Sequence, residues 1–312
     1  MSTGTIASRS RKSILWRDIK ASSWLYLMLL PVIAHMIIFR YGPMYGIQMA
    51  FKDFRIGDGI WGSAWVGMKH FTRLFKSPDF KMILTNSLMM NVYLVVFTFP
   101  IPIILALLMN EVRMAFYKRS VQTLMYLPHF VSWVIISGIL IEMLSPSTGV
   151  INRMLSVFGI SPIYFMADKV WWRIMFVVSA VWKDAGWGTI IYLAAIAGVD
   201  VEQYEAARID GARRFKQAWY ITLPAIMPTV SLLLIMRMAS MMDLGFEHVY
   251  TMMNNFVRPV AEVFSTYNFR MGIERMEYSY TTAIGLFQTS INFILLIITN
   301  NISRKLGGST ML

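Results

Sequence analysis

Polar side chains recur inside stretches of this chain that are otherwise apolar. Lys183 and Asp184 stand in the middle of one such stretch, bracketed by Trp182 and Trp187. Asn86 and Asn91 stand in an earlier one, Trp133 in the one between, Arg237 and Asp243 toward the end of the next, and Gln288 and Asn292 in the last. Ionisable groups in segments of membrane length are costly, so each is a candidate for the path of a polar solute. Lys183 and Trp187 share a helical face at i, i+4. A purely structural reading stays open beside this one. Asp184 then pairs with Lys183, Arg237 or a partner subunit, the tryptophans pack, and the asparagines bond neighbouring helices. Covalent chemistry has less support. The chain has no cysteine, which excludes disulfides, Cys-ligated zinc and iron–sulfur centres. The four histidines, His35, His70, His129 and His248, form no H-E-x-x-H pattern. No Gly-Lys dipeptide occurs, so there is no P-loop. No catalytic residue and no metal site are expected.

The elements that position these residues are membrane helices. Of 312 residues, 56% are hydrophobic and 15% charged, against about 25% charged in a soluble domain. With about 20 apolar residues per crossing, six spans are expected: Trp24–Phe39, Leu84–Met109, Val121–Leu144, Trp171–Gly198, Leu223–Met242 and Thr281–Thr299. The first is short, with Arg40 snorkelling at its end. Pro31, Pro100, Pro102 and Pro228 fall inside spans, where neighbouring helices can satisfy the freed carbonyls. Pro128 and Pro224 fall near span starts, where proline is tolerated best. The net charge of +12 fits loop charge in a membrane protein better than nucleic-acid binding. With the N-terminus placed inside, the inner segments carry Lys and Arg at nearly twice the density of the outer loops. Both termini are therefore expected in the cytoplasm. The N-terminus lacks the marks of a cleavable signal, and Ser13–Lys20 is a candidate interfacial helix. The first outer loop predicts a turn at 57–62 and a short helix over Met68–Phe75.

One stretch differs from its surroundings. Residues 202–224 are polar and helix-forming, yet membrane-length apolar runs flank them. Glu202–Ile209 has an acidic first turn, which suits the helix dipole. Asp210-Gly211 then breaks the helix, glycine supplying the left-handed position. Ala212–Tyr220 restarts it, with Phe215 and Trp219 at i, i+4. Two short angled helices, tied to two spans, form a knob that exposes Glu205, Arg208, Arg213 and Lys216. One reading is a docking element for another protein. The other is an amphipathic linker on the lipid surface.

Glu205-Ala-Ala, Gly211 and Ile221-x-Leu-Pro224 resemble, in order and spacing, the EAA motif of permease subunits of bacterial ABC importers. Glu205-Ala-Ala-Arg-Ile-Asp-Gly-Ala212 resembles the form found in carbohydrate-uptake members. Trp182-Lys-Asp-x-Gly-Trp187 through Ala195, Ala283–Phe287 through Leu306, and Tyr41-x-Pro-Met-Tyr-Gly46 through Asp53 are similar to LplB-type polysaccharide and oligosaccharide permeases. That group includes alginate and pectin-fragment importers. The similarity runs from about Tyr26 onward.

The resemblance implies an all-α integral membrane protein of six transmembrane helices, with the type I importer permease (MetI-like) fold. The expected organisation is a basic cytoplasmic segment over 1–23, a six-helix domain over 24–306 with its coupling loop at about 199–222, and a tail over 307–312. It implies an oligosaccharide import subunit of the bacterial inner membrane rather than an enzyme. A permease for another solute class, and a membrane enzyme acting on lipid-linked sugars, are the alternatives. The expected partners are a second, homologous permease in a heterodimer, two ABC ATPase subunits, an extracytoplasmic binding protein, the oligosaccharide and membrane lipid. ATP and magnesium would sit on the ATPase, with no cofactor on this chain. Coupling would fall to Glu205, Ala206, Ala207, Asp210, Gly211, Phe215, Leu223 and Pro224. The polar span residues would then offer aromatic faces and hydrogen bonds to a sugar, and Lys183 or Arg237 could meet a uronate carboxylate. The outer loops, above all 243–279, would touch the binding protein.

Overall fold

The computed structural model describes residues 22–305, which fall into two units divided after Gly67. The expected interfacial helix at Ser13–Lys20 and the tail over 307–312 lie outside the described residues. In the first unit, α1 (Ser23–Met36) continues through helical turns to Phe51 as one apolar rod of 29 residues. The first span is therefore not short, and Arg40 lies within it rather than at its end. A proline ring clashes with the carbonyl four residues back, and Pro43 would meet this in a regular helix. The backbone widens instead over Ile37–Tyr41, and the Gly42 N–H bonds the Ile37 carbonyl five residues back. Two short strands follow, β1 (Lys52–Asp53) and β2 (Ala64–Trp65), paired antiparallel. The chain between them turns at Gly59, whose φ of 63° is a left-handed value that favours glycine.

The second unit opens with α2 (Lys69–Lys76), the short helix expected there. Ser77 caps α3 (Pro78–Thr98), and α4 (Pro100–Asn110) continues it, so the second span is 33 residues long. Then come α5 (Ala115–Tyr126), a tight turn over Leu127–Phe130, and α6 (Trp133–Met143). α5 with its turn and α6 make a span bent by 98°. Pro128 is thus at a break inside the third span, not at its start. The missing amide of proline and the Ser132 cap, which accepts from the Ile135 N–H, stop one helix and start another. A surface helix, α7 (Val150–Val157), precedes the long α8 (Lys169–Ala197), which Asp168 caps at 2.9 Å.

After α8 the knob contains α9 (Val201–Ile209), described below. A helical turn at Arg214–Gln217 then runs without interruption into α10 (Leu223–Ala239). The expected separate helix over Ala212–Tyr220 is therefore the first turns of the fifth span. A widened turn at Ala218–Thr222 absorbs the missing amide of Pro224. The helix also continues through Pro228, as α1 does through Pro31. α11 (Phe246–Met252) and α12 (Phe264–Phe269) link it to the last span, α13 (Tyr278–Lys305). Five described helical segments are long and apolar enough to cross a membrane, and the bent pair makes a sixth.

α8 is the hub of this unit. One part packs Trp172, Phe176 and Ala180 against Met90 and Leu94 of α3 and Val249 and Met252 of α11. Further along, Tyr192 and Ile196 meet Ala106 of α4 and Ile226 and Val230 of α10. The segment between the fifth and sixth spans is largely core. Phe264, Tyr267 and Met271 are buried with Leu74, Ile83, Tyr280 and Ile284. Glu262 is 2% exposed, and Arg258 (3.3 Å) and Arg270 (2.8 Å) neutralise it.

Small residues let helices close on α8. A Cβ on Gly186 would stand 2.0 Å from the Met125 carbonyl oxygen of α5, and one on Gly188 would stand 3.0 Å from the Pro102 ring. At Gly186 the obstacle is backbone, which cannot turn aside. Gly186→Ala is expected to cost about 3 kcal/mol, the upper end for overpacking. The check is thermal unfolding of the purified full-length chain. A melting temperature equal to that of the wild type would refute the close approach.

Candidate functional site: a polar cavity and an exposed helical knob

A cavity of about 500 Å³ opens between α3, α6, α8, α10 and α11. Of the span residues singled out above, Trp133, Asp184, Arg237 and Asp243 line it. Thr98, Ser240 and His248 join them. Arg237 is oriented by Asn91, whose Oδ1 accepts from its Nη2 at 3.3 Å. Asp184 Oδ1 lies 3.2 Å from His129 Nδ1, and Asp243 accepts from the Gly245 N–H at 3.1 Å. The wall therefore carries one guanidinium, two carboxylates and two hydroxyls, a surface suited to a hydrated polar solute.

The aromatic groups of the wall are engaged with one another. The His248 ring lies between Trp133, 3.5 Å away, and Phe176, 3.9 Å away. His248 Nε2 is hydrogen-bonded to Ser179 Oγ at 3.0 Å. Burial, with the Lys183 ammonium as the second cause, pushes the imidazole down to about 3. It is therefore neutral at pH 7. Trp133 thus has one face covered by His248, which limits it as a stacking platform for a sugar ring.

The remaining candidates lie elsewhere. Lys183 is 8% exposed and does not pair with Asp184. Its ammonium donates to the His129 carbonyl at 2.7 Å and the Val131 carbonyl at 2.5 Å, with Pro128 O at 3.5 Å. Trp187 stacks on the His129 ring at 4.5 Å, nearly parallel. Trp182 faces a separate apolar cavity of about 340 Å³ between α6 and α8. Asn86 donates to the carbonyls of Pro259 and Glu262 at 3.0 Å. Asn91 donates to Ser87 O, also at 3.0 Å. Asn292 accepts from the Met242 N–H at 2.8 Å, and Gln288 bonds Asn268 and Met242. His248 was missed by sequence reasoning, because a seven-residue helix outside the spans gives no periodic signal. Only the scarcity of histidine marked it.

The knob has its own geometry. The Asp200 carboxylate caps α9 through the Glu202 N–H at 3.0 Å. At the other end Gly211 has φ 74°. The Ala212 N–H reaches back to Ala207 O at 2.8 Å, and the Gly211 N–H to Arg208 O at 3.1 Å. This is the paired closure that a left-handed glycine makes possible. Gln217 donates to Ala212 O at 2.7 Å, and Tyr204 OH lies 2.9 Å from Thr222 Oγ1. Both brace the knob on the helix that becomes α10. Arg214 reaches Glu111 at the end of α4, 3.5 Å away. Glu205, Ala206, Asp210 and Pro224 are exposed, Ala207 is half-buried, and Leu223 turns into the α8–α10 core. Ile209 is 88% exposed and Phe215 80%. Phe215 stacks along Trp219 at 6.5 Å.

Residues 80–308 match the family of binding-protein-dependent transport system inner membrane components, and the chain belongs to that family. It is a transport component, not an enzyme. Among relatives, it is 48% identical to Protein LplB of Bacillus subtilis (strain 168), over 94% of this chain and 93% of that protein. It is 45% identical to the polygalacturonan/rhamnogalacturonan transport system permease protein YteP of the same organism, over 95% and 92%. Among solved structures, it resembles a chain of a bacterial ABC transporter involved in the import of the acidic polysaccharide alginate. The TM-score is 0.86, with 41% identity, over 93% of this chain and 98% of that one. A chain of the bacterial alginate transporter in complex with alginate pentasaccharide-bound periplasmic protein also gives 0.86, with 40% identity, over 94% and 98%.

Proposed function

We propose that this chain is one transmembrane subunit of an ATP-driven importer. It passes oligosaccharides, acidic ones among them, from an extracytoplasmic binding protein to the cytoplasm. The observation that carries the reading is the knob: a capped helix, α9, turned at Gly211 into the first turns of the fifth span, with exposed apolar side chains and an ion pair to the end of α4. Such an element transmits force where a lipid-surface linker would not need to. In this reading it docks on a separate ATPase subunit, which holds ATP and magnesium, and this chain binds no cofactor. Glu205, Ala206, Ala207, Asp210, Gly211 and Phe215 form the coupling surface, and Leu223 and Pro224 join it to α10. ATP on one side and the loaded binding protein on the other bias two global states of the pathway. A second, homologous permease completes that pathway in a heterodimer. Both termini face the cytoplasm, a placement the denser Lys and Arg of the inner segments supports. The sugar class is supported by what YteP is named for and by the alginate importer to which the chain is similar.

The composition of the complex is testable by gentle purification of the tagged chain from its native membrane. A second six-span chain and a P-loop ATPase are expected in stoichiometric amounts. Recovery of this chain alone from transport-competent membranes would refute the reading. Gly211→Val places a β-branched residue at a left-handed position, at about 1–2 kcal/mol, and Gly211→Pro cannot adopt φ 74° and also removes the N–H that bonds Arg208 O, so it must rebuild the turn. These variants are expected to leave membrane insertion intact while ATP hydrolysis is no longer linked to uptake. Normal uptake by a well-expressed variant would exclude Gly211 from coupling.

Arg237 is the guanidinium on the cavity wall, and a charge-assisted hydrogen bond contributes roughly 1.5–3 kcal/mol. Arg237→Met is accordingly expected to lower uptake of acidic oligosaccharides about tenfold or more. Neutral oligosaccharides of the same length should be affected much less. Uptake by reconstituted transporter measures this, and equal loss of both substrates would remove Arg237 from charge recognition.

A further inference from the structure

We infer that Lys183 is a positioning residue. Its ammonium replaces the backbone donors that the broken third span lacks, and so fixes the angle between α5 and α6 and the place of Trp133 in the cavity wall. A helix bent by 98° cannot carry its hydrogen-bond ladder across the break, and hydrocarbon offers no water in its place. Pro128 brings no amide to the turn. One backbone bond crosses it, from the Val131 N–H to the Pro128 carbonyl at 3.1 Å. The carbonyls of His129 and Val131 receive the ammonium, at 2.7 and 2.5 Å. Lysine has three donors and no acceptor, and a cluster of carbonyl oxygens matches it. The nitrogen also lies 5.4 Å from the Trp133 ring centre, within cation–π range. The next residue makes a second attachment. Asp184 holds the His129 imidazole, which stacks on Trp187 one helical turn along α8. Three residues of one helix thus grip the break in another, and Trp133 opens the helix beyond it.

The chain has no cysteine, so paired spin labels can be placed cleanly at Leu124→Cys on α5 and Ile139→Cys on α6, both exposed. The full-length protein in lipid nanodiscs is expected to give a single narrow label-to-label distance. Lys183→Met should broaden or split that distribution. It should also reduce reconstituted uptake of acidic and neutral oligosaccharides alike, by about tenfold or more. Lys183→Arg retains the donors and should keep one narrow distance. An unchanged distribution in Lys183→Met would overturn the inference. So would loss of acidic uptake alone, which would make Lys183 a substrate contact. If Lys183→Met does not insert, a broad distribution in Lys183→Arg overturns the inference and a narrow one supports it. The distances depend only on this geometry, whereas the uptake readout rests on the importer reading. A changed distance with no measurable import by the wild type would therefore count against that reading and leave the role of Lys183 standing.

Discussion

In a hydrocarbon environment every backbone carbonyl needs a donor from the protein itself, and the bent third span is where this constraint bears hardest. The break at Leu127–Phe130 opens the hydrogen-bond ladder between α5 and α6. What completes it is a side chain from α8, beside the backbone bond from the Val131 N–H to the Pro128 carbonyl. That solution requires α8 to lie within reach, so residues around Lys183 are small where they face α5 and α4. Gly186 and Gly188 admit the Met125 carbonyl and the Pro102 ring. The bend, the close helix approach and the buried lysine are parts of one arrangement. Removing any of them leaves the others without a physical reason.

This arrangement also divides the work of the two cations inside the spans. Lysine and arginine differ in how they meet oxygen. Both can donate to carbonyls, but only the planar guanidinium presents a fork to a carboxylate. Lys183 has its donors engaged by the turn. Arg237 donates to Asn91 and stands on the cavity wall in the field of Asp184 and Asp243. Sequence alone gave both residues the same candidacy, because both are charges in apolar runs. Distance separates them: the carbonyls that receive Lys183 lie more than 50 residues earlier in the chain, and no local pattern announces them.

The same distinction explains which features were legible. The knob is built from short-range signals: Asp200 as a cap, the acidic first turn, the left-handed Gly211, and the bonds from Gly211 and Ala212 back to Arg208 and Ala207. All act within a few residues, so spacing in the sequence suffices. The spans are legible for a similar reason, since hydrocarbon thickness sets a length that apolar runs must match. The segment between the fifth and sixth spans was not. The loop charges set it between two spans, but did not show that it is packed core. Asn86 fixes it through carbonyls more than 170 residues away, and Glu262 is buried there between two arginines. A buried carboxylate looks like any surface acid until its partners are in place.

The cavity and the knob are joined by continuous helix, and this is where structure meets function. α10 begins within the braced knob and ends with Arg237 near the cavity, and α8 runs from the core around Trp172 past Lys183 to the start of the knob. The knob and the cavity are thus connected along two helical rods. One of these rods also holds the break beside Trp133. Lys183, Asp184 and Trp187 share that contact, so the angle between α5 and α6 is tied to α8 by three side chains and not by one.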